Sequence, residues 1–231
     1  MKILGVDLET TGLNVGSDSI IEVGAVLWDW SRQTPLKMMS SLVKFDGELS
    51  PEATAITGIL KADLQSYGRE EFEVLSELKE LAQEADYLVG HNCNQFDRLF
   101  FERYWIRHPQ FRIHLPWIDT MTDLPFPLDM STRKLDYLAA EHGFLNPFSH
   151  RALFDVLTML KVAAHYDFDE ILKLQKSPIK RVVALVPYDE RDKAKAQGFR
   201  WDPKERHWFL EGKEKMLSQR QYPFAVQWLD H

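Results

Sequence analysis

A single cysteine among 231 residues leaves this chain without an internal disulfide, which suits a reducing compartment. No apolar run approaches the ~20 residues that cross a bilayer. The opening Met1-Lys2-Ile3-Leu4-Gly5-Val6-Asp7 reaches an acid too early for a secretory signal and reads as a strand of the mature fold. A cytoplasmic protein with no membrane partner is expected. The lone Cys93 stands two residues after His91, but zinc sites need more Cys or His at close spacing, so it reads as a small loop thiol.

An excess of positive charge is also missing. The chain carries 28 Lys and Arg against 35 Asp and Glu, a net charge of −7, whereas nucleic-acid-binding proteins are often basic. The deficit is uneven: residues 1–180 hold 18 basic against 27 acidic side chains, and residues 181–231 hold 10 against 8. Total charge therefore does not decide the partner.

What is present is an ordinary globular composition, 45% hydrophobic and 27% charged, with 14 Phe and 7 Trp to build a core. The length suits one ample domain and a small one. Strand signals open the chain: Lys2 to Asp7, the apolar-rich Ile20 to Trp30, and Met38 to Phe45, in an antiparallel meander. Helices follow. Ser50-Pro51-Glu52 is a capped helix start, and Phe72 to Ala85 places Val74, Leu75, Leu78, Leu81 and Ala82 on one face. Short strands at Tyr87–Gly90 and Trp117–Thr120 alternate with helical stretches at 95–108, 132–142 and 151–166. This pattern predicts an α/β domain, a mixed sheet flanked by helices, over residues 1–167. Residues 168–180, polar and lysine-rich with Pro178, read as a linker, and residues 181–231 as a small α+β domain.

Three short signatures carry the chemistry. They are Asp7-Leu8-Glu9-Thr10-Thr11-Gly12, His91-Asn92-Cys93-Asn94-Gln95-Phe96-Asp97, and His150-Arg151-Ala152-Leu153-Phe154-Asp155. Taken singly, each has an ordinary alternative. Asp7 and Glu9 are acids at a strand end, Asp97 lies in the first turn of a helix where the dipole favours it, and His150 precedes a helix as a cap. Asp155, set among Phe154, Val156 and Leu157, is harder to dismiss. Together, four converging carboxylates would repel one another without cations. Hard oxygen ligands favour Mg²⁺ or Mn²⁺. Two such ions can activate a water and stabilise the leaving oxygen of a phosphodiester. An imidazole nearby is suited to exchanging the water's proton near neutral pH.

In this order the signatures resemble the three motifs of the DEDDh 3′–5′ exonucleases, a family that includes the proofreading epsilon subunit of bacterial DNA polymerase III. The likeness covers roughly residues 1–166, including Ser50-Pro51-Glu52-Ala53 and Ile56-Thr57-Gly58-Ile59. The resemblance implies an RNase H-like fold and two bound divalent cations, Mg²⁺ or Mn²⁺. It implies Asp7, Glu9, Asp97 and Asp155 as metal-binding acids, His150 as general base, and release of 5′-mononucleotides. Tyrosine-class relatives place Tyr four residues before the last acid, where Arg151 stands here, so the histidine class is indicated. Thr10, Thr11 and Leu13 fall where such enzymes hold the terminal nucleotide, and Ile56 and Thr57 near its base. His91 and Asn92 support the second-motif loop, while Arg98 and Arg151 read as phosphate contacts or as structural charges. The expected substrate is DNA with single-stranded 3′ ends. RNA, or a catalytically inactive binding module, are the alternatives, and a polymerase or other replication or repair protein is a further possible partner.

The tail, with Val186-Pro187-Tyr188-Asp189 and Gly198-Phe199-Arg200-Trp201-Asp202-Pro203, resembles a small domain appended to plasmid- and phage-associated DNA-processing proteins. Trp201, Trp208, Arg200, Arg206 and His207 are expected to form one aromatic, basic face for stacking single-stranded bases. The alternative is that the tryptophans are the core of a domain with little else to bury.

Overall fold

The computed structural model of the chain describes residues 1–229. They form two compact units, one of residues 1–121 and 134–165, the other of residues 122–133 and the chain from 166 onward.

The first unit opens with β1 (Lys2–Thr10), β2 (Ile20–Asp29) and β3 (Thr34–Leu42), the predicted meander. It continues with α1 (Pro51–Thr57), α2 (Lys61–Tyr67), α3 (Glu71–Ala82), β4 (Tyr87–Gly90), α4 (Asp97–Arg107), β5 (Trp117–Asp119), α5 (Leu135–Glu141) and α6 (Ala152–Ala163). The strand order is β3-β2-β1-β4-β5. β1 pairs antiparallel with β2 and parallel with β4, so the sheet is mixed, as expected.

Period-two alternation along β1 sorts its side chains. Leu4, Val6 and Leu8 enter the core shared with Val74, Leu78, Phe100 and Trp105 of α3 and α4. Gly5 faces the other way, toward Val156 and Leu160 of α6, and Asp7 and Glu9 follow it on that face. On β2, Gly24 lies directly beneath the first turn of α6: a methyl group there would collide with the Ala152 carbonyl carbon and the Leu153 nitrogen. Two glycines thus let α6 lie close on β1, which ends in the first-motif acids, and on its neighbour β2.

The second unit holds α7 (Phe168–Gln175), β6 (Ile179–Ala184), α8 (Arg191–Ala196), β7 (Arg200–Asp202), β8 (His207–Lys213), α9 (Glu214–Gln219) and β9 (Val226–Leu229). Its sheet runs β7-β8-β6-β9, every pairing antiparallel. Three sequence expectations change here. The stretch expected to be a linker is folded: Asp167 caps α7 by accepting from the Glu170 N–H at 3.0 Å, and Phe168, Ile171 and Leu174 are buried. Its polar appearance comes from the outer face of an amphipathic helix. Residues 122–133 also belong to this unit, where Asp123 meets Lys213 at 2.6 Å in a buried ion pair.

The third change concerns the aromatic, basic face. In the β7–β8 hairpin Trp201 pairs with Trp208 and Arg200 with Phe209. Trp208 packs on the core of Val182, Phe199, Leu210 and Leu217. Alternation therefore puts both tryptophans on the core side and Arg200, His207 and Phe209 on the other. Arg206 sits in the turn with a φ of 57°. The five residues do not share a face.

Candidate active site

The twelve residues expected to bind metal, act in catalysis or hold substrate line one cleft of about 480 Å³, whereas Arg98 and Arg151 are not among its lining. Asp7 and Glu9 come from the end of β1, Asp97 from the start of α4, and Asp155 from the first turn of α6. Thr10, Thr11 and Leu13 rise from the loop after β1. Ile56 and Thr57 come from α1, His91 and Asn92 from the turn after β4, and His150 from the residues before α6.

The acids are held by backbone donors. The Leu8 N–H gives a 3.0 Å bond to Asp97 Oδ1, joining the first and second motifs. Asp155 accepts the His150 N–H on Oδ2 at 2.9 Å and the Asn146 amide on Oδ1 at 2.6 Å. His150 adopts a φ of 62°, a left-handed conformation that a side-chain-bearing residue rarely takes and that the surrounding bonds must hold. Glu9, His150 and Asp155 bring three ligand atoms within 4.8 Å of one another.

Ionising this group is costly. Burial, then the charges of Asp97, Glu9, Asp155 and Glu22, hold the Asp7 carboxyl well above its usual range. Burial, then Asp155, Glu22 and Asp97, push Glu9 up to about 8. Burial raises Asp97 to about 7 against the pull of its backbone donors. Asp155 reaches about 6 by burial, opposed by the His150 N–H. A carboxylate cluster of this kind lacks positive charge, and its oxygen-rich donor set fits hard divalent cations.

Three further residues shape the site and were not singled out in the sequence. Glu22 of β2, opposite Glu9 in the register, is buried. It binds Arg151 Nη2 at 2.9 Å and the Ala152 N–H at 3.1 Å, tying the first turn of α6 to the sheet. Asp119 of β5 accepts the N–H groups of Asn92, Asn94 and Met121 at 2.9, 3.1 and 3.0 Å, so it shapes the second-motif turn. Asn146 bridges Asp155 and, at 3.1 Å, the Phe148 N–H. Glu22 had a signal, an acid inside the apolar run Ile20-Ile21-Glu22-Val23. Asp119, a single acid ending a three-residue strand, and Asn146, in a loop, had none.

Both arginines are ion-paired within the fold. Arg151 pairs with Glu22, and Arg98 with Glu102 at 2.9 Å. Cys93 is fully buried and donates to the Ile118 carbonyl, as a core thiol would. The threonine hydroxyls also serve the fold. Thr10 donates to the Gly12 carbonyl at 2.6 Å, Thr11 to Asp18 at 3.1 Å, and Thr57 to the Ala53 carbonyl at 2.9 Å. Two apolar side chains of the lining are open to a ligand: Leu13 is 84% exposed and Ile56 57%. Arg103 of α4 holds the Leu13 loop by donating to the carbonyls of Val15 and Asp18.

A mixed sheet thus carries carboxylates from β1, α4 and α6 into one cleft that His150 also lines, an arrangement that fits a nuclease of the histidine class. The family model described as Exonuclease (RNase_T) matches residues 4–163, and the chain belongs to that family, in its DEDDh class. A second model, a domain of unknown function (DUF5710), matches residues 181–222. Among curated proteins, the PolC-type DNA polymerase III of Thermotoga maritima is 34% identical over 158 residues, which is 68% of this chain and 11% of that protein. This chain thus spans about a tenth of the length of the curated relatives it matches. Among solved structures, E. coli Exonuclease I in complex with a dT13 oligonucleotide superposes with a TM-score of 0.61 at 18% identity, covering 80% of this chain and 48% of that one. The nuclease domain of 3′hExo, a DEDDh family member bound to rAMP, superposes with a TM-score of 0.58 at 16% identity, covering 71% of this chain and 90% of that domain. These likenesses establish the RNase H-like exonuclease fold, a fold that implies dependence on a divalent metal. Among the described residues, no helix is long and apolar enough to cross a membrane.

Proposed function

We propose that the chain is a 3′–5′ exonuclease that removes 5′-mononucleotides from single-stranded DNA ends. The observation that carries this reading is the convergence of Asp7, Glu9, Asp97 and Asp155 with His150 on one cleft. The four acids would hold two divalent cations, Mg²⁺ or Mn²⁺, which when bound supply Lewis acidity at the scissile phosphate and lower the pKa of a water. His150, beside Asp155 at the cleft mouth, takes the proton of the attacking water as the P–O3′ bond to the penultimate nucleotide breaks, so that the phosphate leaves on the 5′ oxygen of the terminal nucleotide. Its left-handed backbone and the bond from its N–H to Asp155 keep the ring at that position. Leu13 and Ile56, both exposed in the lining, hold the terminal nucleotide by apolar contact, with Thr10, Thr11 and Thr57 shaping the adjoining segments. His91, bonded to Thr120 at 2.9 Å, and Asn92 steady the second-motif turn.

DNA is favoured over RNA by two likenesses: the curated relatives are DNA polymerases, and Exonuclease I was solved with an oligodeoxynucleotide. A polymerase is accordingly the kind of partner the chain would join. The deciding experiment offers matched 5′-labelled DNA and RNA oligonucleotides with Mg²⁺, Mn²⁺ or EDTA. A DNA ladder shortening stepwise from the 3′ end, abolished by EDTA, is expected. A faster RNA ladder would make the chain an exoribonuclease, and a single internal cut would overturn the exonuclease reading.

A further inference from the structure

The second unit carries a side-chain cluster that the cleft does not use. On the face of its sheet away from the core, the Arg200 guanidinium lies 5.3 Å from the Phe209 ring centre and that of Arg181 4.2 Å from it. His207 stands edge-on to the same ring at 6.4 Å and 84°, and its enclosed Nε2 has no hydrogen-bond partner among the described residues. Arg181 is neutralised by Glu211 at 2.9 Å. Arg200 is exposed and makes none of the ion pairs found among the described residues, while Asp202, two residues on along β7 and so on the same face, lies 3.8 Å from Arg181. Arg133, from the 122–133 segment of the same unit, has its charged form disfavoured by burial and by the Arg200 charge.

We infer that this face, centred on Arg200, Phe209 and His207, is a contact for single-stranded nucleic acid. The chemistry is complementary in two ways. An exposed cation that makes no ion pair among the described residues calls for an anion, which a phosphate supplies. A guanidinium close over an aromatic ring presents a cationic surface on which any base can stack. The local charge agrees, since residues 181–231 carry 10 basic against 8 acidic side chains while the rest of the chain is acidic. The inference deepens the proposed function, because it rests on nucleic acid being the substrate.

The test uses the full-length protein. Binding of a fluorescent oligothymidylate is measured by anisotropy in EDTA, which prevents turnover, for the native chain and for Arg200→Ala, Arg200→Lys and Lys193→Ala. Lys193 lies on α8, whose Ala194 packs on the opposite face of the sheet, so its loss removes the same charge from the wrong side. Arg200→Ala is expected to raise Kd roughly 5- to 20-fold, Arg200→Lys to recover only part of that because the stacking plane is gone, and Lys193→Ala to change Kd less than twofold. Hydrolysis of a nucleoside 5′-(p-nitrophenyl phosphate), too short to reach a second contact, is followed in parallel and should be the same in all four proteins. An unchanged Kd for Arg200→Ala, or an equal rise for Lys193→Ala, overturns the inference. Failure of every protein, native included, to cleave the short ester counts instead against the exonuclease reading and leaves the binding comparison to be judged separately.

Discussion

The side-chain amide of Asn146 donates to Asp155 Oδ1 at 2.6 Å, while the same residue's carbonyl oxygen accepts the Phe148 N–H. One asparagine thereby connects the last acid of the cluster to the loop that ends in His150. Asn146→Ala should free that loop. We expect kcat to fall roughly 10- to 100-fold from misplacement of His150 and Asp155, with KM little changed. Steady-state kinetics on a DNA oligonucleotide check this, and a larger change in KM than in kcat would place Asn146 in binding instead.

Stability of the metal-free protein should fall as pH rises. Asp155, Asp97 and Glu9 ionise in the fold at about 6, about 7 and about 8, each above the ordinary carboxylate range. A group whose folded pKa is raised contributes its full share below the ordinary value, and that share is lost as pH rises through the folded value. Thermal melts in EDTA should therefore show a lower Tm at pH 9 than at pH 5.5. Mg²⁺ or Mn²⁺ should restore the alkaline loss by binding the ionised form. A metal-free Tm that rises over this interval would contradict the electrostatic picture of the site.

Gly24→Ala tests how closely α6 must approach the sheet. The added methyl meets backbone atoms of Ala152 and Leu153, which cannot rotate aside, so the first turn of α6 has to move. Overpacking of this kind costs about 1–3 kcal/mol. Denaturant unfolding should show that loss, and activity should fall further than stability because Asp155 moves with the turn.

Asp119→Ala removes the acceptor for three backbone N–H groups in the turn that carries His91 and Asn92. Each donor left without a partner costs about 1–3 kcal/mol where it stays buried. Hydrogen exchange should show the 91–94 turn losing protection before the sheet does. Uniform loss across the sheet would mean that Asp119 serves the core rather than the turn.

Much of this arrangement is legible in the sequence because its parts are local. Two acids two apart on a strand must share a face, and an acid in the first turn of a helix must point from its start, so Asp7, Glu9, Asp97 and Asp155 are placed by period alone. Glu22 and Asp119 act through partners 129 and 27 residues away in sequence, and such pairs are set only once the sheet has formed. In α7 the opposite problem arose: its lysines and acids face outward, and only Phe168, Ile171 and Leu174 disclose a packed helix. The β7–β8 hairpin is legible from its turn, whereas the separation of its tryptophans from Arg200 and His207 onto two faces follows from the alternation along each strand.

The most direct measurement of the central claim is release of nucleotide from 3′-labelled single-stranded DNA at saturating Mg²⁺ by the native chain and by Asp155→Ala. The native protein should liberate labelled 5′-mononucleotide as its first product, and Asp155→Ala should liberate none above background while keeping its circular dichroism and melting transition. Release by Asp155→Ala at the native rate would contradict the account.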